Sequence, residues 1–126
     1  MSHTISYNSE SHVIEIKVRG KLTSDEVREI TSEITQIAVA KNCLLCLTDF
    51  RKAKLNLSTV ELYELPKIIS NMVASAGLDI RGFKRALLVA NDSKDFGFFE
   101  TATFNQAQNA KLFKSIDEAR KWLSEK

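Results

Sequence analysis

The sequence predicts an α/β domain: an N-terminal β-hairpin, then alternating helices and strands on a mainly parallel sheet, in the order β-β-α-β-α-β-α-β-α. Three observations predict it. Two runs near the start alternate apolar and polar residues, the period of a strand covered on one face. Two later runs, 43-CLLCL-47 and 85-RALLVA-90, are almost continuously apolar, as in parallel strands covered on both faces. Three further segments begin with Ser or Thr, carry Glu three residues later, and continue with apolar residues at helical spacing.

The hairpin comes from TISYN (4–8) and HVIEIKVR (12–19), joined by the polar turn SES (9–11). Gly20 is expected to end the second strand. Thr23 and Glu26 have the spacing of a capping box. Val27, Ile30, Ile34 and Ile37 then mark a helix, with Asn42 as its stop. CLLCL reads as a central buried strand that ends at Asp49, and RKAKLNL as the loop after it. Ser58 and Glu61 repeat the capping spacing, and Leu62, Leu65, Ile69, Met72 and Val73 form the next apolar stripe. Pro66 interrupts that stripe, so a kink or a fresh helix start is expected there. Gly77 suits the position just past the helix end. RALLVA (85–90) is the next strand, and 91-NDSKD-95 a turn-rich loop. A helix is expected from Phe96 to about Ala110, and a short strand over KLFKS (111–115). Ser115 with Glu118 caps a terminal helix carrying Ile116, Ala119, Trp122 and Leu123.

The bulk numbers exclude several classes. At 126 residues the chain suits a single domain, 1–126, large enough to bury a core without staples. A net charge of +2 gives no reason to expect nucleic-acid binding. No apolar run approaches the roughly 18 residues of a membrane span. The first residues show neither the basic nor the apolar region of a signal peptide, which makes a cytoplasmic location the default. Cys43 and Cys46 have C-x-x-C spacing, but both fall in an apolar strand rather than at a helix start. Residues three apart on a strand point to opposite faces, so these read as buried thiols rather than a redox pair.

Few residues suggest chemistry. Asp49 sits at the expected carboxyl end of a central strand, where ligands of open α/β sheets bind. It is either an anchor for loop N–H groups and Arg51 or Lys52, or a contact for a ligand; a phosphoacceptor would also need an acidic pair that VRGKL does not provide. Arg51, Lys52 and Lys54 make a small basic cluster, either a solvated loop or a seat for an anionic group. Ser58 is either a helix cap or a modification target at a helix start. Phe96, Phe98, Phe99 and Phe104 crowd one expected helix. Phe98 and Phe99 are about 100° apart on a helical wheel, so they face either the core or a second surface, a pocket or a dimer interface. His3 and His12 lack the spacing of a metal site, and no nucleophile triad or phosphate loop is present. No cofactor is expected, and the reading is of a protein that is not an enzyme.

Three stretches carry a family resemblance: HVIEIKVRGKLTSDEV, CLLCLTDF, and RALLVAND followed by FNQAQNAKLFKSIDEARKWL. In these the chain resembles the SpoIIAA-like group, which includes the STAS domains (sulfate transporter and anti-sigma factor antagonist). Within that group it is most similar to an uncharacterised bacterial STAS/SEC14-like branch. The resemblance implies a four-stranded parallel core behind an antiparallel edge strand. It also implies a non-enzymatic role as a protein-interaction or regulatory module. The related architecture of lipid-binding proteins implies the alternative, a carrier or sensor of a small apolar or lipid-like ligand. The family's phosphorylatable serine lies in a D-S-S-G-L-G-like context at a helix start; this chain instead reads FRKAKLNLSTVELYEL after Asp49. From the residues themselves, Asp49, Arg51, Lys52, Ser58, Phe98 and Phe99 are the candidates to contact a ligand or partner, with a homodimer through the phenylalanine-rich helix as one arrangement.

Overall fold

The computed structural model describes residues 2–90 and 108–125. Its elements run β1 (Ser2–Asn8), β2 (Val13–Leu22), α1 (Ser24–Lys41), β3 (Leu45–Leu55), α2 (Thr59–Ser75), a 3-10 turn (Ile80–Gly82), β4 (Lys84–Leu88), β5 (Asn109–Phe113) and α3 (Ile116–Ser124). The five strands lie side by side in chain order. β1 is antiparallel to β2, and β2, β3, β4 and β5 are mutually parallel. The expected hairpin and the four-stranded parallel core are both present.

Alternation along the strands divides the interior into two layers. Ile14, Ile16, Val18, Leu22 and Cys46 join Ile30 and Ala38 of α1 and Ile69 and Val73 of α2 in one core. Val13, Leu47, Ala86, Leu88 and Phe113 face the other way, against Ala119 and Leu123 of α3. Period-two strands sandwiched by amphipathic helices therefore bury apolar area on both sides of the sheet.

The helix ends match their local signals. Thr23 Oγ1 accepts the Glu26 N–H at 3.4 Å, and Asn42 closes α1 in the left-handed conformation with φ 50°. Ser58 Oγ accepts the Glu61 N–H at 3.1 Å, while Glu61 Oε1 accepts the Ser58 N–H at 2.9 Å. Both halves of this capping box are formed. Gly77, at φ 81°, follows the end of α2. Its N–H reaches Ala74 O and the Leu78 N–H reaches Val73 O, the pair of bonds that defines a Schellman cap.

Five expectations need correction. Pro66 does not split its helix: α2 is continuous from Thr59 to Ser75 with the proline inside. Pro66 is itself fully buried, beside Leu62, Leu65 and Ile69, and this packing outweighs the missing helical bond. Gly20 does not end β2, which continues to Leu22 with Gly20 at φ 82°, a conformation glycine adopts without strain. RKAKLNL is not a loop up to Leu55: β3 runs through it, paired with β2 by Arg19 opposite Lys52 and Leu22 opposite Leu55. Cys43 lies before β3 rather than within it, and its thiol donates to the His12 carbonyl at 3.2 Å. The last strand begins at Asn109, so the expected helix cannot extend to Ala110; the remainder of that helix, with Phe96, Phe98, Phe99 and Phe104, lies outside the described residues.

Candidate functional site

The extension of β3 follows from a bulge. Lys17 is opposite Asp49, and Arg19 is opposite Lys52, so β3 carries one extra residue between these pairs. Such an insertion leaves a backbone group unpaired in the ladder. Asp49 repairs the defect: its Oδ1 accepts the Arg51 N–H at 3.0 Å. The same carboxylate takes Arg51 Nε at 3.0 Å and Nη2 at 2.8 Å. Burial pulls the Asp49 pKa upward, but the Arg51 hydrogen bonds and charge together hold it below the usual carboxylate range. Asp49 sits mid-strand, opposite Leu88 at the end of β4, and not at the carboxyl end of β3.

Beyond the bulge, β3 pairs with β2 alone among the described residues, and the other neighbour of β2 is β1. The inward residues of β2 and β3, Val18, Leu22, Ala53 and Leu55, pack into the core beside α1. Their outward residues are Lys17, Arg19, Lys21, Lys52 and Lys54, all exposed. Register sets Arg19 directly opposite Lys52, and Lys21 directly opposite Lys54. Like charges facing each other across a ladder are unfavourable. Among the described residues the one ion pair on this face joins Arg51 to Asp49. Lys17, Arg19, Asp49, Arg51 and Lys52 line a depression of about 160 Å³ on it.

Asp49, Arg51 and Lys52 are thus brought together as expected, on a sheet face rather than a loop. Lys17, Arg19 and Lys21 complete the face and were missed. The available signal was the alternation K-V-R-G-K-L, which places every second, charged residue on one side of β2. Ser58 is at the start of α2 with its hydroxyl engaged in the cap. Phe98 and Phe99 lie outside the described residues.

The opposite side of the sheet holds a second feature. An apolar cavity of about 80 Å³ lies between α1, α2 and the sheet, with Ile34, Leu65, Ile69 and Phe83 among its walls. Arg85 of β4 also lines it. Arg85 is half-buried as a residue, but its Nε is sealed from solvent and has no acceptor among the described residues. Cys46 lines the same cavity, and burial pushes its thiol up to about 12, so it is a neutral wall rather than a nucleophile.

The fold also gathers three donors that are far apart in sequence. His3 of β1 meets Glu29 and Glu33 of α1, with all three ligand atoms within 4.8 Å of one another. One nitrogen and two carboxylates are a donor set that a divalent ion accepts. His3 Nε2 is already hydrogen-bonded to Glu33, and Glu29 is exposed.

No protein-family model and no curated protein sequence matches the chain. Solved structures do. An uncharacterised DUF3478-family protein from Shewanella loihica, with a SpoIIAA-like fold, superposes with a TM-score of 0.60 over 97% of this chain and 92% of its own, at 18% identity. The chain has the SpoIIAA-like fold. An anti-sigma factor antagonist from Mycobacterium paratuberculosis shares this fold at a TM-score of 0.58, with 13% identity and coverage of 98% and 96%. The anti-sigma factor antagonist SpoIIAA in its unphosphorylated form shares it at 0.54, with 12% identity and coverage of 93% and 92%. Against the SpoIIAA-like expectation, the helix after β3 opens on Ser58 and Thr59 without a Ser-Gly pair. No helix among the described residues is long and apolar enough to cross a membrane.

Proposed function

We propose that this chain is a non-enzymatic regulatory module that docks an acidic protein surface on the exposed face of β2 and β3. One observation carries this reading: two adjacent like-charge pairs, Arg19 with Lys52 and Lys21 with Lys54, stand on an exposed sheet face. A fold gains nothing from that repulsion, whereas an acidic partner relieves it and is steered toward it. The fold is shared with anti-sigma factor antagonists, which supports a role in protein recognition. The test uses the partner that co-purifies with the tagged chain from its own host. Once that partner is purified, the Lys52→Glu/Lys54→Glu double variant should bind it at least about tenfold more weakly, and wild-type binding should fall steeply with salt. Unchanged affinity in the double variant would sink the proposal.

A second reading, a carrier or sensor of a small amphiphilic ligand, is favoured by the cavity that Arg85 shares with apolar walls.

A further inference from the structure

The walls of the cavity do not account for Arg85. Charged groups withdrawn from water are ordinarily paired, because an unpaired one forfeits its hydration. Among the described residues Arg85 has only a neutral partner: its Nη2 donates to Gln108 Oε1 at 2.7 Å. Gln108 is held in turn by donating its Nε2 to the Pro66 carbonyl at 2.7 Å, so the amide cannot turn toward Nε without breaking that bond. Among the described residues Arg85 Nε has no acceptor. The ion pairs among the described residues engage Arg51, Arg81, Arg120 and His3 rather than Arg85. Burial lowers the guanidinium pKa to about 10, which still leaves it cationic at neutral pH. The site therefore presents an apolar space, a cation on its wall and one sealed donor.

We infer that this cavity binds a small monocarboxylate, whose oxygen accepts the Arg85 Nε–H and whose short aliphatic tail fills the space between α1 and α2. The inference rests on the ligand-sensing reading and names its ligand class. A carboxylate supplies both the acceptor and a negative charge that no described residue places on Arg85, and the guanidinium matches its geometry. The size follows from the volume. A water molecule occupies roughly 30 Å³ in the liquid, so the space takes about two or three groups of that size. A tail of about two or three carbons fits; a long acyl chain does not unless α1 and α2 separate. The buried hydroxyls of Thr31 and Thr35, on the same wall, already donate to the carbonyls of Val27 and Thr31. They leave Arg85 as the charged anchor of a mainly apolar wall that also carries Thr48.

Titration of the full chain with butyrate, propionate and the isosteric neutral butyramide tests this at constant ionic strength. Calorimetry should give butyrate at least about a tenfold tighter Kd than butyramide. Shortening to propionate should weaken binding about fourfold, the effect of one buried methylene. The Arg85→Met variant should lose the preference for the carboxylate. In wild-type protein, the ¹⁵N–¹H resonance of Arg85 Nε should move on adding butyrate, a readout that survives if the variant does not fold. Equal binding of butyrate and butyramide, or an unmoved Nε resonance at saturation, overturns the carboxylate inference while the ligand reading stands. If none of the three compounds binds, both fall.

Discussion

Residues Leu45 to Thr48 of β3 run between β2 and β4 with helices on both faces, whereas residues Lys52 to Leu55 pair with β2 alone. The first half is apolar and mostly buried: Cys46, Leu47 and Thr48 are within the core. The second half is amphipathic, with Ala53 and Leu55 turned to the core and Lys52 and Lys54 turned to water. The Asp49 bulge separates them. The first half shows what the fold requires of a strand. The second half shows what the fold only tolerates, because its like-charged pairs work against the ladder that holds them.

The largest effect should come from the buried half. Leu47 is 3% exposed, and Leu47→Ala should cost about 2–5 kcal/mol in urea unfolding. Lys54→Ala, in the exposed half, should stay within about 0.5 kcal/mol. Comparable losses at both positions would erase the distinction. A smaller effect sharpens it. Lys52→Glu converts the pair with Arg19 from repulsive to attractive and should raise stability by about 0.2–1 kcal/mol, though the same substitution should contribute to loss of the acidic partner. A variant that became both less stable and a weaker binder would show only local damage.

The smallest effect concerns the bulge between the halves. The Asp49 carboxyl titrates below its ordinary range in the folded chain. The stability it contributes is thus present above the unfolded pKa of about 3.9 and is lost as pH falls through the lower folded value. Glu15 behaves in the same direction, lowered chiefly by its hydrogen bond from Arg120, against the opposing pull of burial. Asp49→Asn should therefore make the acid limb of a stability–pH profile slightly shallower, with no change in slope between pH 6 and 8. A profile that keeps its full acid limb would show that the Arg51 contact does not persist in solution.

Much of the architecture was legible because its signals are local. Thr23, Ser58 and Ser115 cap their helices through atoms three residues away, and Asn42 and Gly77 end two of them through their own backbone conformations. The site was less legible. Arg51, Lys52 and Lys54 carry the polarity of a loop, and strand propensity says little against that. Only pairing with β2, where Gly20 adopts a positive φ, makes RKAKL a strand. Pro66 misled in the opposite direction: its local cost was read correctly, but the burial that offsets it comes from the rest of the core.

By itself the sequence determined the order of the strands and helices among the described residues, their caps, and the alternation that assigns most strand side chains to a face, since all three depend on residues within a few positions of one another. Register, by contrast, is a relation between distant segments. Tertiary structure alone decided that Arg19 faces Lys52, that His3 reaches Glu33 across 30 residues, and that Arg85 enters an apolar cavity with an unanswered Nε–H. Charge repulsion and desolvation act through space, so the residues they single out become visible only when the strands are laid side by side.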